Sequence, residues 1–143
     1  MDCTVIGDCV NLASRLEAIT KLYQVGIIVS EDTALEVGDV HPLRELDTIR
    51  IRGRQRPARI FQVLTPDRPV DALAVAAYSS GRKALAERRW AEALEAFEAA
   101  AAAAPGDYPS VLMRDRARIL VRTPPPANWD GVWESLEAAG PTP

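Results

Sequence analysis

Two kinds of chain meet at a proline-bracketed seam. Up to about residue 64, Val, Ile, Leu, Gly and Arg alternate with turn residues; beyond it Ala, Glu and Arg dominate. The seam itself is Thr65-Pro66-Asp67-Arg68-Pro69. Each proline disfavours helix at the residue before it and pushes that residue into extended backbone. No single periodic element runs through such a stretch. The sequence therefore predicts a domain over 1–64, a linker over 65–69, helices over 70–123 and a Pro/Trp tail over 124–143. The expected class is α+β.

The first part alternates strand and helix signals. Thr4-Val5-Ile6 is a short β-branched run ended by Gly7. Asp8 is a good N-cap for a helix from about Cys9 to Tyr23. Val10, Ala13, Leu16 and Ile19 give that helix one buried stripe. Gln24-Val25-Gly26 stops it, and Ile27-Ile28-Val29 reads as a compact buried strand. Ser30-Glu31-Asp32-Thr33 caps a short helix that ends near Gly38. Thr48-Ile49-Arg50-Ile51-Arg52 alternates with period two, Gly53 turns the chain, and Ala58 to Leu64 returns as the second arm of an antiparallel hairpin.

The second part predicts three helices: Val70 to Arg88, Trp90 to Ala104 and Pro109 to Arg122, with a break at Pro105-Gly106-Asp107. Pro124-Pro125-Pro126 then favours a polyproline conformation. Trp129 and Trp133 follow and are expected to dock back onto a helical surface.

Charge excludes several functions. Lys plus Arg is 17 against 20 Asp plus Glu, a net of −3, which argues against a dedicated nucleic-acid binder. No stretch is long and apolar enough for a transmembrane helix, and no signal-peptide layout opens the chain, so no membrane insertion and a cytoplasmic setting are expected. Cys3, Cys9 and His41 are too few for a zinc site or a disulfide framework. The two cysteines read as small packing residues and His41 as a surface residue.

The most informative stretch is Gly7-Asp8-Cys9-Val10-Asn11-Leu12-Ala13-Ser14-Arg15-Leu16-Glu17. Asn11 and Arg15 are four residues apart, so on a helix they project from one face. Asn11 both donates and accepts; Arg15 carries a permanent planar charge suited to phosphate oxygens. A helix N-terminus adds partial positive charge. On spacing alone such a pair more often describes a solvated helix face.

The surrounding residues decide between the two readings. Thr4 to Glu17 closely resembles the signature of class III nucleotide cyclases. The resemblance continues through Ile27-Ile28-Val29-Ser30-Glu31, Arg44-Glu45-Leu46-Asp47 and Ile51-Arg52-Gly53-Arg54…Pro57-Ala58-Arg59-Ile60-Phe61, covering about residues 1–64 in one register. It implies a partial cyclase-type α/β sandwich, an incomplete sheet with a C-terminal hairpin. It also implies conversion of ATP to 3′,5′-cyclic AMP and pyrophosphate, for cyclic-nucleotide signalling. Active sites of this family form at a dimer interface. By the resemblance Asn11 holds the ribose and Arg15 meets charge on the α-phosphate. Arg52 replaces the usual lysine on the distal phosphates, and Thr4 stands at the base-selecting position, favouring adenine. Orienting the reactants and meeting developing charge are both physically sound roles.

The family's two catalytic ions, Mg or Mn, are held by a pair of aspartates in a segment that this chain lacks. Asp2 and Asp8 are poor substitutes: Asp8 is occupied as an N-cap, and Asp2 lies beside the first residue. The expectation is that the chain has no metal ligands and is inactive alone, and that residues 1–64, with an incomplete sheet, are marginally stable or need a partner. That partner would be a second copy or an intact cyclase subunit.

Other constellations invite blander readings. Arg44, Arg50, Arg52, Arg54, Arg56 and Arg59 crowd the hairpin; except for Arg52 they read as its solvated outer face, interleaved with Glu45 and Asp47. Gly81, Trp90, Ala93, Phe97, Ala100 and Pro105 fall at the spacing of one tetratricopeptide repeat, with Leu112, Met113, Ala117 and Leu120 on a capping helix. An alternative function follows: a non-catalytic interaction protein that associates with an intact cyclase or another partner through its helices.

Overall fold

The structure, a computed structural model, describes residues 16–50 and 57–133. It forms two compact units that part between Pro69 and Val70.

In the first unit residues 16–23 form helix α1. Leu16, Ile19 and Tyr23 are buried along one side, so the apolar stripe extends one turn past Ile19 to Tyr23. The helix ends at Gln24, whose φ is 57°. The Val25 amide donates to the Thr20 carbonyl at 3.0 Å. This is a Schellman closure with glutamine in the left-handed slot that glycine usually fills. After Gln24 to Ile27 come strand β1 (Ile28–Ser30) and, directly after it, helix α2 (Glu31–Val37). Ser30 is both the last strand residue and the helix N-cap, its hydroxyl accepting from the Thr33 amide at 3.4 Å.

Strands β2 (Leu43–Arg50) and β3 (Pro57–Val63) complete a three-stranded antiparallel sheet of order β1-β3-β2. The first hairpin strand begins at Leu43, five residues before the expected Thr48. A register shift between Glu45 and Asp47 explains why alternation missed it. Glu45 faces Phe61 and Asp47 faces Ile60, leaving Leu46 as the extra residue of a bulge. Strict alternation would put Asp47 on the same face as Glu45. The bulge turns it inward instead.

The solvated reading of Arg44 and Asp47 is therefore corrected. Arg44 is 1% exposed and Asp47 3%. Arg44 stands opposite Gln62, which stands opposite Ile28, so these three form one buried row. The Arg44 Nε donates to Gln62 Oε1 at 2.9 Å, and Nη2 donates to the same oxygen. The Asp47 carboxylate accepts from the Tyr23 hydroxyl on one oxygen and from the Thr48 amide, at 2.8 Å, on the other. Burial that would otherwise be costly is tolerated because each charge is hydrogen-bonded. Past β3, Thr65 to Arg68 turns, with the Arg68 amide donating to the Thr65 carbonyl at 3.2 Å. The Arg68 side chain lies over Gly26, where a β-carbon would meet its Nη1 at 3.2 Å.

The second unit holds helices α3 (Ala72–Ala86), α4 (Trp90–Ala103) and α5 (Tyr108–Arg122). α3 starts two residues later than Val70 because Asp71 caps it, its carboxylate accepting from the Leu73 and Ala74 amides at 2.8 and 3.3 Å. It ends before Arg88, which lies in the left-handed region at φ 59°. The Arg89 amide donates to Ala84 at 2.9 Å and the Arg88 amide to Leu85 at 3.0 Å, a second Schellman closure. The core is Ala74, Tyr78 and Gly81 of α3, Ala93, Phe97 and Ala100 of α4, and Met113, Ala117 and Leu120 of α5. Tyr78 and Phe97 meet edge to face, 5.3 Å between centroids at 74°. Glu92, Glu95 and Glu98 stay on the exposed side of α4. Both tail tryptophans pack on helices: Trp129 lies 6.0 Å from Trp90, and the Arg116 guanidinium sits 5.2 Å from the Trp133 centroid.

Candidate functional site

Thr4, Asn11, Arg15 and Arg52, which the resemblance assigns to the nucleotide, lie outside the described residues, as do Asp2, Cys3, Asp8 and Cys9. The described residues are their immediate neighbours in sequence. The described part of α1 begins at Leu16, next to Arg15 in sequence, and β2 and β3 flank the segment 51–56 that holds Arg52.

Two buried polar contacts brace this framework. The Tyr23 hydroxyl ties the last turn of α1 to Asp47 of β2. The Arg44–Gln62 pair ties β2 to β3. The helix that follows Arg15 and the hairpin that carries Arg52 are thus fastened to each other through named side chains. Sequence reasoning missed both contacts. Tyr23 falls four residues after Ile19, which is a legible signal for the buried side of α1. Arg44 and Asp47 look like surface charges, and nothing in the sequence announces the bulge.

The hairpin arginines are not equivalent. Arg59 pairs with Glu31 of α2 and, at 2.9 Å, with Glu45 of β2. Its hydrogen bond to Glu31 foremost, with the charges of Glu31 and Glu45, raises its pKa. It also lies 5.7 Å from the Phe61 centroid. Arg44 is buried and hydrogen-bonded to Gln62. Arg44 is therefore not presented to a free phosphate, whereas Arg59 is half exposed and held by two carboxylates. His41 is exposed, as its place beside Pro42 suggests.

A groove of about 320 Å³ opens between the start of α1 and β1, lined chiefly by Leu16, Glu17, Thr20, Ile27, Ile28 and Val29. Its described lining contains no basic side chain, and the Thr20 hydroxyl is spent on the Glu17 carbonyl at 2.5 Å. The described lining is mostly apolar. Among the described residues no three of His, Cys, Asp and Glu gather as a metal ion needs, so these residues do not fit the cations that the resemblance implies. No helix among them is long and apolar enough to cross a membrane.

Comparison with known proteins gives partial similarity to adenylate cyclases. The chain is 36% identical over 66 residues to an adenylate cyclase of Anabaena cylindrica, covering 44% of this chain and 13% of that protein. It is 34% identical over 68 residues to adenylate cyclase 1 of Rhizobium meliloti, covering 48% and 10%. It is 27% identical over 130 residues to the terminal-differentiation-specific adenylate cyclase of Dictyostelium discoideum, covering 86% and 6%. That last match exceeds what residues 1–69 supply, so it takes in both units. No protein-family model and no solved structure matches. The chain spans a small share, 6 to 13%, of the length of these three relatives, and its likeness to adenylate cyclases is distant and partial.

Proposed function

We propose that the first unit is the C-terminal portion of a class III adenylate cyclase catalytic domain, and that it contributes the ribose- and phosphate-facing side of a composite site. The observation that carries this is the 36% identity over 66 residues to the Anabaena enzyme, taken with the signature from Thr4 to Glu17. In this reading Asn11 orients the ribose so that its 3′-hydroxyl faces the α-phosphate. Arg15 meets the negative charge that grows there. Arg52 draws on the distal phosphates, and Thr4 selects adenine. The cation-holding carboxylates come from outside these 143 residues, from a longer polypeptide or a second subunit. By themselves the 143 residues do not cyclise ATP. The second unit is a single tetratricopeptide-like helix pair with a capping helix, carried beside the cyclase portion as the two-unit match to the Dictyostelium enzyme suggests.

The test is complementation. The chain is co-purified with a polypeptide bearing the aspartate-containing half of an adenylate cyclase domain, and cyclic AMP is measured. The expected result is activity from the mixture alone, abolished by Asn11→Ala or Arg15→Ala. Binding without activity points instead to a non-catalytic partner of a cyclase. Activity indifferent to both substitutions removes Asn11 and Arg15 from the site.

A further inference from the structure

Arg88 occupies a position that helix endings usually fill with glycine. It is the left-handed residue of the closure between α3 and α4, at φ 59°. A non-glycine residue there costs some backbone strain, as at Gln24, and what sets Arg88 apart is where its side chain goes. Arg88 Nη2 donates to the Pro125 carbonyl at 3.1 Å and to the next carbonyl, Pro126, at 3.0 Å. The same guanidinium stacks 5.0 Å from the Trp90 centroid. Pro125 is buried, and the Trp129 ring lies 6.0 Å from the Trp90 ring. The Trp129 amide donates to the Pro126 carbonyl at 3.0 Å, and its indole N–H to Val132 at 2.9 Å, so the end of the segment is folded down.

These are the parts of a polyproline-recognition site. A proline-rich segment has no internal hydrogen bonds, so its carbonyls are free to accept from a side chain, and its rings favour aromatic surfaces. We propose that Arg88 and Trp90 form a binding site for extended proline-rich segments, and that Pro124–Pro126 is its resident occupant. The occupant is tethered, so its effective concentration is in the millimolar range. A Pro-Pro segment of a partner protein then gains the site only when the tail is released. The tail acts as a built-in competitor.

The experiment uses the full chain and the peptide Pro-Pro-Pro-Ala-Asn-Trp, which copies residues 124–129, carrying a fluorescent label. Pro125→Gly with Trp129→Ala releases the tail. The released chain is expected to bind the peptide at least tenfold more tightly than the unaltered chain. Adding Arg88→Gly, which relieves the backbone strain and so keeps the helix pair folded, removes that gain. No binding by a released chain that retains its helical circular dichroism overturns the proposal, as does binding that survives Arg88→Gly. Should the released chain lose helicity, the unaltered chain and Arg88→Gly alone decide: weaker peptide binding by Arg88→Gly supports the proposal, and equal binding by the two overturns it.

Discussion

The ring of Phe97 lies so close to Gly81 that a β-carbon on residue 81 would stand 2.6 Å from both Cε1 and Cζ. Phe97 is fully buried and held edge-on by Tyr78, so the ring has no room to retreat. Two effects compete in Gly81→Ala. Helix propensity favours alanine by about 1 kcal/mol. Overpacking a tight core costs roughly 1–3 kcal/mol, and a clash with a trapped ring belongs at the upper end of that range. The second wins. Gly81→Ala should destabilise the helical unit by about 1–2 kcal/mol in urea unfolding. Phe97→Leu should make the added methyl cheaper, so the double variant should be less damaged than the sum of its parts.

Tyr23→Phe deletes the hydroxyl that donates to the buried Asp47 carboxylate. The aromatic packing stays and only the hydrogen bond goes. A loss of about 1–3 kcal/mol in the stability of the first unit is expected, because the carboxylate keeps its burial and loses a donor. A change below about 0.3 kcal/mol by urea unfolding would show that water replaces the hydroxyl freely.

Gln62→Leu removes one acceptor, Gln62 Oε1, from buried Arg44. Hydrogen bonds to charged groups contribute about 1.5–3 kcal/mol, so a loss of that order is expected. Replacing both partners, Arg44→Met with Gln62→Leu, should recover part of it, since that pair then holds no charge against a missing acceptor. Thermal unfolding of the three variants checks the order: double variant above Gln62→Leu, original chain at or near the top.

Asp67 titrates below the usual aspartate range, held there first by the Thr65 side-chain hydrogen bond, then by its own backbone amide and by Arg68. A carboxylate whose pKa is lower folded than unfolded adds stability above the unfolded value and loses it as pH falls through the folded one. The effect is therefore confined to acid and absent as a pH dependence near neutrality. Thr65→Val should move the Asp67 carbon resonance titration upward toward the ordinary range. An unmoved curve would assign the shift to the backbone instead.

Arg15→Ala should lower cyclic AMP formation by the complemented cyclase roughly 100- to 1,000-fold, the scale on which losing one charge-stabilising donor acts. KM for ATP should change far less than kcat, since the interaction belongs to the transition state. A loss confined to KM would make Arg15 a simple binding residue.

Local chemistry made much of this architecture readable. Ser30 as a cap, the Pro105-Gly106-Asp107 break and the small residues facing Phe97 are each written in a few adjacent side chains, and the helices and caps follow them. The start of β2 was hidden. Arg44 and Asp47 carry full charges, and only the bulge at Leu46 together with partners 18 and 24 residues away makes their burial tolerable. Arg88 was hidden for a related reason, because its worth depends on carbonyls 37 and 38 residues further along. The residues that carry the functional reading, Asn11 and Arg15, were legible only through their resemblance to a family signature.

Strand β1 and helix α2 share Ser30 without a spacer, and Glu31 is clasped by Arg59 of β3. No loop is left to absorb motion between the sheet and that helix. Tugging on β3 drags α2 along with it, so the amides of both elements should open and exchange their hydrogens as a single cooperative block rather than one after the other.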